Sequence, residues 1–160
     1  MSFGAMVLGL TIVGSASAGK PEKGGVVLLL ADFVTEVGDA QLVRTPNGVQ
    51  INISTTALEP SAVYTVWWVI DFGACVQWAT GHPIGPDGAG QFSARLNVGD
   101  TSGDQPEGPC PGLVDPQNQV IWAVLRSHGP KIPGRVYEQM GTYLGGCDAN
   151  ICSDEQIVIF

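Results

Sequence analysis

Basic residues are scarce in this chain. Seven Lys and Arg stand against fifteen Asp and Glu, for a net charge of −8, and they are scattered, so no positive patch is available to neutralise phosphates. A nucleic-acid partner is thereby excluded. Histidine is scarcer: His82 and His128 are the only two, short of the imidazole cluster that a copper or zinc redox site requires. No cofactor is indicated. Nor do the later apolar stretches reach the roughly 18 to 20 residues that cross a bilayer. A convincing helical period is also missing, and no helix can propagate through the Gly- and Pro-rich stretch 81–90.

What is present begins with an address. The apolar run Met6 to Val13, followed by Ser15-Ala16-Ser17-Ala18, reads as a secretory signal with a small-x-small cleavage site after Ala18, although Met1 to Ala5 carries no Lys or Arg. Residues 1–18 are then a signal peptide, 19–24 a linker, and 25–160 one domain of ordinary size. The expected location is extracellular or periplasmic, with no stable membrane insertion after signal removal. Four Cys in an exported chain imply two disulfides, which admit three connectivities; local pairs, Cys75 with Cys110 and Cys147 with Cys152, are the preferred assignment. By the chain-entropy argument the first, with the longer loop, restricts the unfolded chain more.

The strands are marked by short apolar or alternating runs. Val26 to Leu30 is a short apolar strand. Gln41 to Arg44 and Val49 to Ser54 form a hairpin about Thr45-Pro46-Asn47-Gly48, where Asn-Gly would supply positive φ values for a tight turn. Val49, Ile51 and Ile53 then face inward and Asn52 faces solvent, within the N-glycosylation acceptor Asn52-Ile53-Ser54. Val63 to Ile70 is dense in β-branched and aromatic residues and is apolar on both faces, which suits a central strand. Val76 to Thr80 is a further strand, and 81–90 a loop. Phe92, Ala94, Leu96 and Val98 point inward from the next alternating strand. Residues 99–119 form a long loop, Val120 to Arg126 a second apolar strand ending at Ser127, and Gln156 to Phe160 a closing strand. Many short strands with turn signals predict an all-β fold, an antiparallel Greek-key β-sandwich or flattened barrel with two disulfides.

The order Leu58-x-Pro60-x-x-x-Tyr64 resembles the tyrosine corner of Greek-key sandwiches such as fibronectin type III domains, in which the Tyr hydroxyl bonds to backbone a few residues upstream. Tyr64 to Val69, Gly99 to Gly103, Leu113 to Pro116, Arg126-Ser127-His128-Gly129 and the final Gly-Gly-Cys…Cys together look like a family of uncharacterised secreted proteins, a resemblance that covers most of the chain and implies no particular activity. A weaker likeness runs to copper/zinc superoxide dismutase and chordin-type repeats, which share a Leu-x-Pro corner before a core strand. The departure is chemical: where the dismutases place a His-x-His copper pair, this chain has Trp67 and Trp68.

Several chemistries compete. Ser127-His128 with Asp115 or Asp71 would supply the members of a hydrolytic triad, but neighbours on a strand point to opposite sides, and no Gly-x-Ser-x-Gly elbow surrounds Ser127. Asp100, Asp104, Glu107 and Asp115 offer oxygen ligands without an EF-hand spacing; a solvated acidic loop is the simpler reading. The spacing of Cys147 and Cys152 matches neither a thioredoxin nor a zinc ribbon. Trp67, Trp68 and Trp122 lie in the most apolar strands, which leaves Trp78 for a surface. The candidate binding residues are therefore Trp78, His82, Arg126 and His128, and the expected function is a non-catalytic surface or interaction module for an extracellular protein or glycan. The alternative is a metal-binding or hydrolytic enzyme built on the His82 and His128 loops.

Overall fold

The computed structural model describes residues 21–22, 26–29, 34–71, 73–74, 82–83, 85–100, 112–141 and 153–160, with only the backbone described at 21–22, 26–29, 73–74, 82–83 and 141. The expected signal segment 1–18, the four cysteines, Trp78, the strand expected at 76–80 and the loop residues Asp104 and Glu107 lie outside the described residues. The described elements are β1 (Pro21–Glu22), β2 (Val26–Leu29), β3 (Glu36–Thr45), β4 (Gly48–Thr55), β5 (Ala62–Ile70), β6 (Gly73–Ala74), β7 (His82–Pro83), β8 (Gly90–Asn97), β9 (Ile121–Pro130), helix α1 (Val136–Gly141) and β10 (Ser153–Ile159). Every pairing is antiparallel. The strand order is β6-β5-β9-β10-β2-β3-β4-β8, with β1 beside β3 and β7 beside β5.

This order folds back on itself. Leu42, Val49, Ile51, Ile53, Phe92, Ala94 and Leu96 from β3, β4 and β8 share one core with Tyr64, Val66, Trp68, Ile121, Leu125 and Val158 from β5, β9 and β10. Tyr64 and Phe92, from the two ends of the order, meet edge to face with ring centroids 6.5 Å apart. The chain crosses between the facing halves from β4 to β5 and returns from β5 to β8, as in a Greek key. The fold is all-β, an antiparallel sandwich whose two facing halves are joined along one edge by the β10–β2 pairing. Among the described residues no helix is long and apolar enough to cross a membrane.

The corner before β5 is built as its residues dictate. Pro60 presets the first central position of a turn whose second, Ser61, has φ +63°, and Ala62 N–H donates to Glu59 O at 3.2 Å, as in a type II turn. The Tyr64 hydroxyl accepts the Glu59 N–H at 2.9 Å and donates to Glu155 Oε2 at 3.0 Å. The upstream bond is the one expected of the Leu-x-Pro…Tyr order. Its second partner comes from β10.

Some expectations are corrected. The β3–β4 hairpin turns on Pro46 and Asn47, since Thr45 pairs with Gly48, and Asn47 is not among the residues with positive φ. Proline's fixed φ suits the first central position of a type I turn, and glycine suits the fourth; placing Pro46 in the ladder instead would waste a donor position. Thr45 Oγ1 donates to Gly48 O at 3.0 Å and closes the loop. Val98 is 44% exposed, because β8 ends at Asn97 and the chain turns away. Strand β9 does not stop at Ser127: His128 and Gly129 together oppose Val63 as a bulge, with Gly129 at φ +71°, so the ladder runs on to Pro130. A short helix exists after all in α1, and His82–Pro83, assigned to a loop, pairs with β5.

Candidate functional site

Of the residues singled out from the sequence, His82, Arg126 and His128 fall at one end of the β5–β9–β10 half. Arg126 and His128 share its outer face, two residues apart on β9, and are only 5% and 1% exposed. Opposite Arg126 in register are Thr65 on β5 and Asp154 on β10, and Arg126 Nη1 donates to Asp154 Oδ1 at 2.7 Å. His128 Nε2 lies 2.7 Å from Thr65 Oγ1, which also accepts the Trp67 indole N–H at 2.6 Å. A buried charge is tolerable only when paired, and a buried imidazole only when hydrogen-bonded. Both conditions are met, and the cluster works as an anchor between strands. His82 lies opposite Tyr64 on the other flank of β5; the backbone alone is described there. Trp78 lies outside the described residues.

No triad is assembled. Ser127 sits opposite inward-facing Tyr64 and its Oγ accepts the Gly129 N–H at 3.2 Å, whereas His128 faces outward to Thr65. Asp71 accepts from Gln119 Nε2 at 2.9 Å and from Val120 N–H at 3.1 Å, before the start of β9, which puts about 25 Å of extended strand between it and His128. Asp115 is spent on its own turn, accepting from Gln117 N–H and Asn118 Nδ2. Among the described residues no three His, Cys, Asp or Glu side chains group to hold a metal ion.

Burial pushes the Tyr64 hydroxyl above the usual phenol range; the Glu59 N–H opposes this shift and the Glu155 carboxylate reinforces it. The proton is therefore fixed on Tyr64 as a donor to Glu155. That arrangement orders the corner against the bulge at Glu155, where the β9–β10 register shifts.

A different surface is open. The outer face of β3, β4 and β8 carries a groove of about 520 Å³ walled by the side chains of Asp39, Gln41, Asn52, Ser54, Gln91 and Ser93, all exposed. Register sets them in two rows across the strands: Asp39 opposite Ser54 opposite Gln91, and Gln41 opposite Asn52 opposite Ser93. Neighbours within a row are about 5 Å apart and the rows about 7 Å apart. Inward neighbours Ala40, Ile53 and Phe92 belong to the core, so the floor is rigid. A smaller hollow of about 110 Å³ lies further along the same strands, beside Val43, Gln50 and Arg95, where Arg95 Nε donates to Asn97 Oδ1 at 3.0 Å.

Sequence reasoning placed Asn52 on the solvent side and passed over the rest. A signal was present in the outward positions themselves, Asp39 and Gln41, Gln50, Asn52 and Ser54, Gln91 and Ser93, which are mostly short neutral amides and hydroxyls. Lys and Glu, the flexible charged residues that keep a protein surface from associating, are absent from these positions. Asn52, Ser54 and Ser93 lose less side-chain entropy when ordered against a ligand than Lys or Glu would. In comparisons with protein-family models, curated proteins and solved structures, nothing matches this chain.

Proposed function

We propose that this chain is a non-catalytic β-sandwich module that works outside the cytoplasm, extracellularly or in a periplasm, and binds its partner through the groove over β3, β4 and β8. The observation that carries this reading is the groove itself: six exposed polar side chains, ranked in two registered rows on three paired strands. Such a surface is preorganised by its ladder, so little backbone ordering opposes binding. The export half of the reading rests on the signal-like start of the chain. The enzymatic alternative has no comparable support, since His128 is buried and engaged by Thr65.

The test compares wild type with Asn52→Arg/Ser54→Arg, which fills the groove from β4 while leaving the inward side chains untouched. Purified protein is applied to a glycan array and to chromogenic ester and glycoside substrates. Binding without turnover, lost in the double variant with the melting temperature kept, is expected. Turnover that disappears in His128→Gln would overturn the proposal.

A further inference from the structure

We infer that the groove takes an uncharged, hydroxyl-rich chain, a neutral polysaccharide laid across β3, β4 and β8; this rests on the groove being the binding surface proposed above. The lining decides the ligand by its chemistry. Gln41, Asn52 and Gln91 each present a carbonyl acceptor beside an N–H₂ donor, and Ser54 presents a hydroxyl that both gives and accepts. Adjacent hydroxyls on a sugar ring need this alternation of donor and acceptor at short spacing. A lining of ammonium or guanidinium groups would offer donors alone.

Other ligand classes fit the lining less well. A sulfated, phosphorylated or uronic-acid polymer needs cations, and the nearest described one is Arg95, in the adjacent hollow and bonded to Asn97; the net charge of −8 opposes such a polymer further. Asp39, the one carboxylate among the six, gives a strong acceptor for a sugar hydroxyl but repels an anion. A peptide would want apolar side pockets or main-chain pairing along a strand edge such as that of the terminal strand β8, whereas the groove's polar side chains stand on the sheet face, with the apolar residues Ala40, Ile53 and Phe92 turned into the core. A cation would want several converging carboxylates. The two rows run perpendicular to the strands, so a linear chain crossing β3, β4 and β8 meets three polar groups on each side.

The experiment is affinity electrophoresis of the full-length protein through gels containing a soluble β-glucan, a galactomannan, alginate or heparin, at low and high salt. Asn52→Leu, Gln41→Leu and Arg95→Gln are run alongside, each checked for wild-type melting. Expected is retardation by at least one neutral polysaccharide, unchanged by salt and by Arg95→Gln, with the dissociation constant raised about tenfold or more in Asn52→Leu. Retardation by alginate or heparin alone, abolished by salt and by Arg95→Gln, would overturn the ligand class and leave a groove-binding module standing if Asn52→Leu also weakens it. Neutral retardation indifferent to Asn52→Leu and Gln41→Leu would overturn the groove itself. Absence of retardation in all four gels would overturn the neutral-polysaccharide inference.

Discussion

Tyr64 shows how much one side chain can organise. Its ring fills the core against Phe92, and its hydroxyl joins the corner at Glu59 to the β10 bulge at Glu155. Tyr64→Phe keeps the ring and removes both bonds, so a loss of about 1 to 2 kcal/mol in denaturant melts is expected. The pH dependence has a definite sign. Because the folded state holds the Tyr64 proton more tightly than the unfolded chain does, the associated stability is complete below about pH 10 and is lost as pH rises beyond it. The alkaline limb of the wild-type stability curve should therefore be steeper than that of Tyr64→Phe. Gly88 is a second sensitive point: it has φ +69°, and a Cβ there would stand 2.7 Å from the Leu58 carbonyl oxygen. Gly88→Ala should cost about 1 to 3 kcal/mol, measured by thermal melting.

At the scale of elements, buried glutamines fasten what the ladders leave loose. Gln139, fully buried on α1, accepts the Ile132 N–H and donates to the carbonyls of His128 and Pro130. Gln156 on β10 exchanges bonds with Thr55 and Thr56 across the fold, and Gln119 bonds Val114, Asp115 and Asp71. Gln139→Leu keeps the volume but strands three backbone groups, and a destabilisation of about 2 kcal/mol or more is expected in urea melts. These clamps were not legible in the sequence, because a glutamine carries no local cue to a partner many residues away. The alternation of β4 and β8 was legible, with Val49, Ile51, Ile53, Phe92, Ala94 and Leu96 all inside. The turn centres on Pro46 and Asn47 rather than Asn47 and Gly48 because proline's fixed φ suits its first central position, and β9 runs past Ser127 because Gly129, which punctuates in isolation, is absorbed into the ladder as part of a bulge. The groove was half legible. Its residues could be assigned to the outer face, but only the register of β3, β4 and β8 shows that they align into rows.

On the scale of the whole molecule, the two facing halves divide the work. The β5–β9–β10 half buries its outer face as well as its inner one, with Trp67, Val124 and Ile157 forming a second apolar cluster beside the anchors Arg126 and His128. The β3–β4–β8 half keeps a polar outer face. One half thus serves stability and the other presents the proposed binding surface. The export proposal carries a covalent expectation: peptide mapping of secreted protein without reduction should yield Cys75 joined to Cys110 and Cys147 joined to Cys152, and a crossed pairing would refute that assignment. The central claim, a binding groove over β3, β4 and β8, is tested most directly by amide-resolved NMR during titration with a soluble neutral β-glucan. The account predicts shifts in the side-chain amides of Gln41, Asn52 and Gln91, with the backbone of their strands, and a silent His128. Shifts confined to the β5–β9–β10 end, with those three amides unmoved, would contradict it.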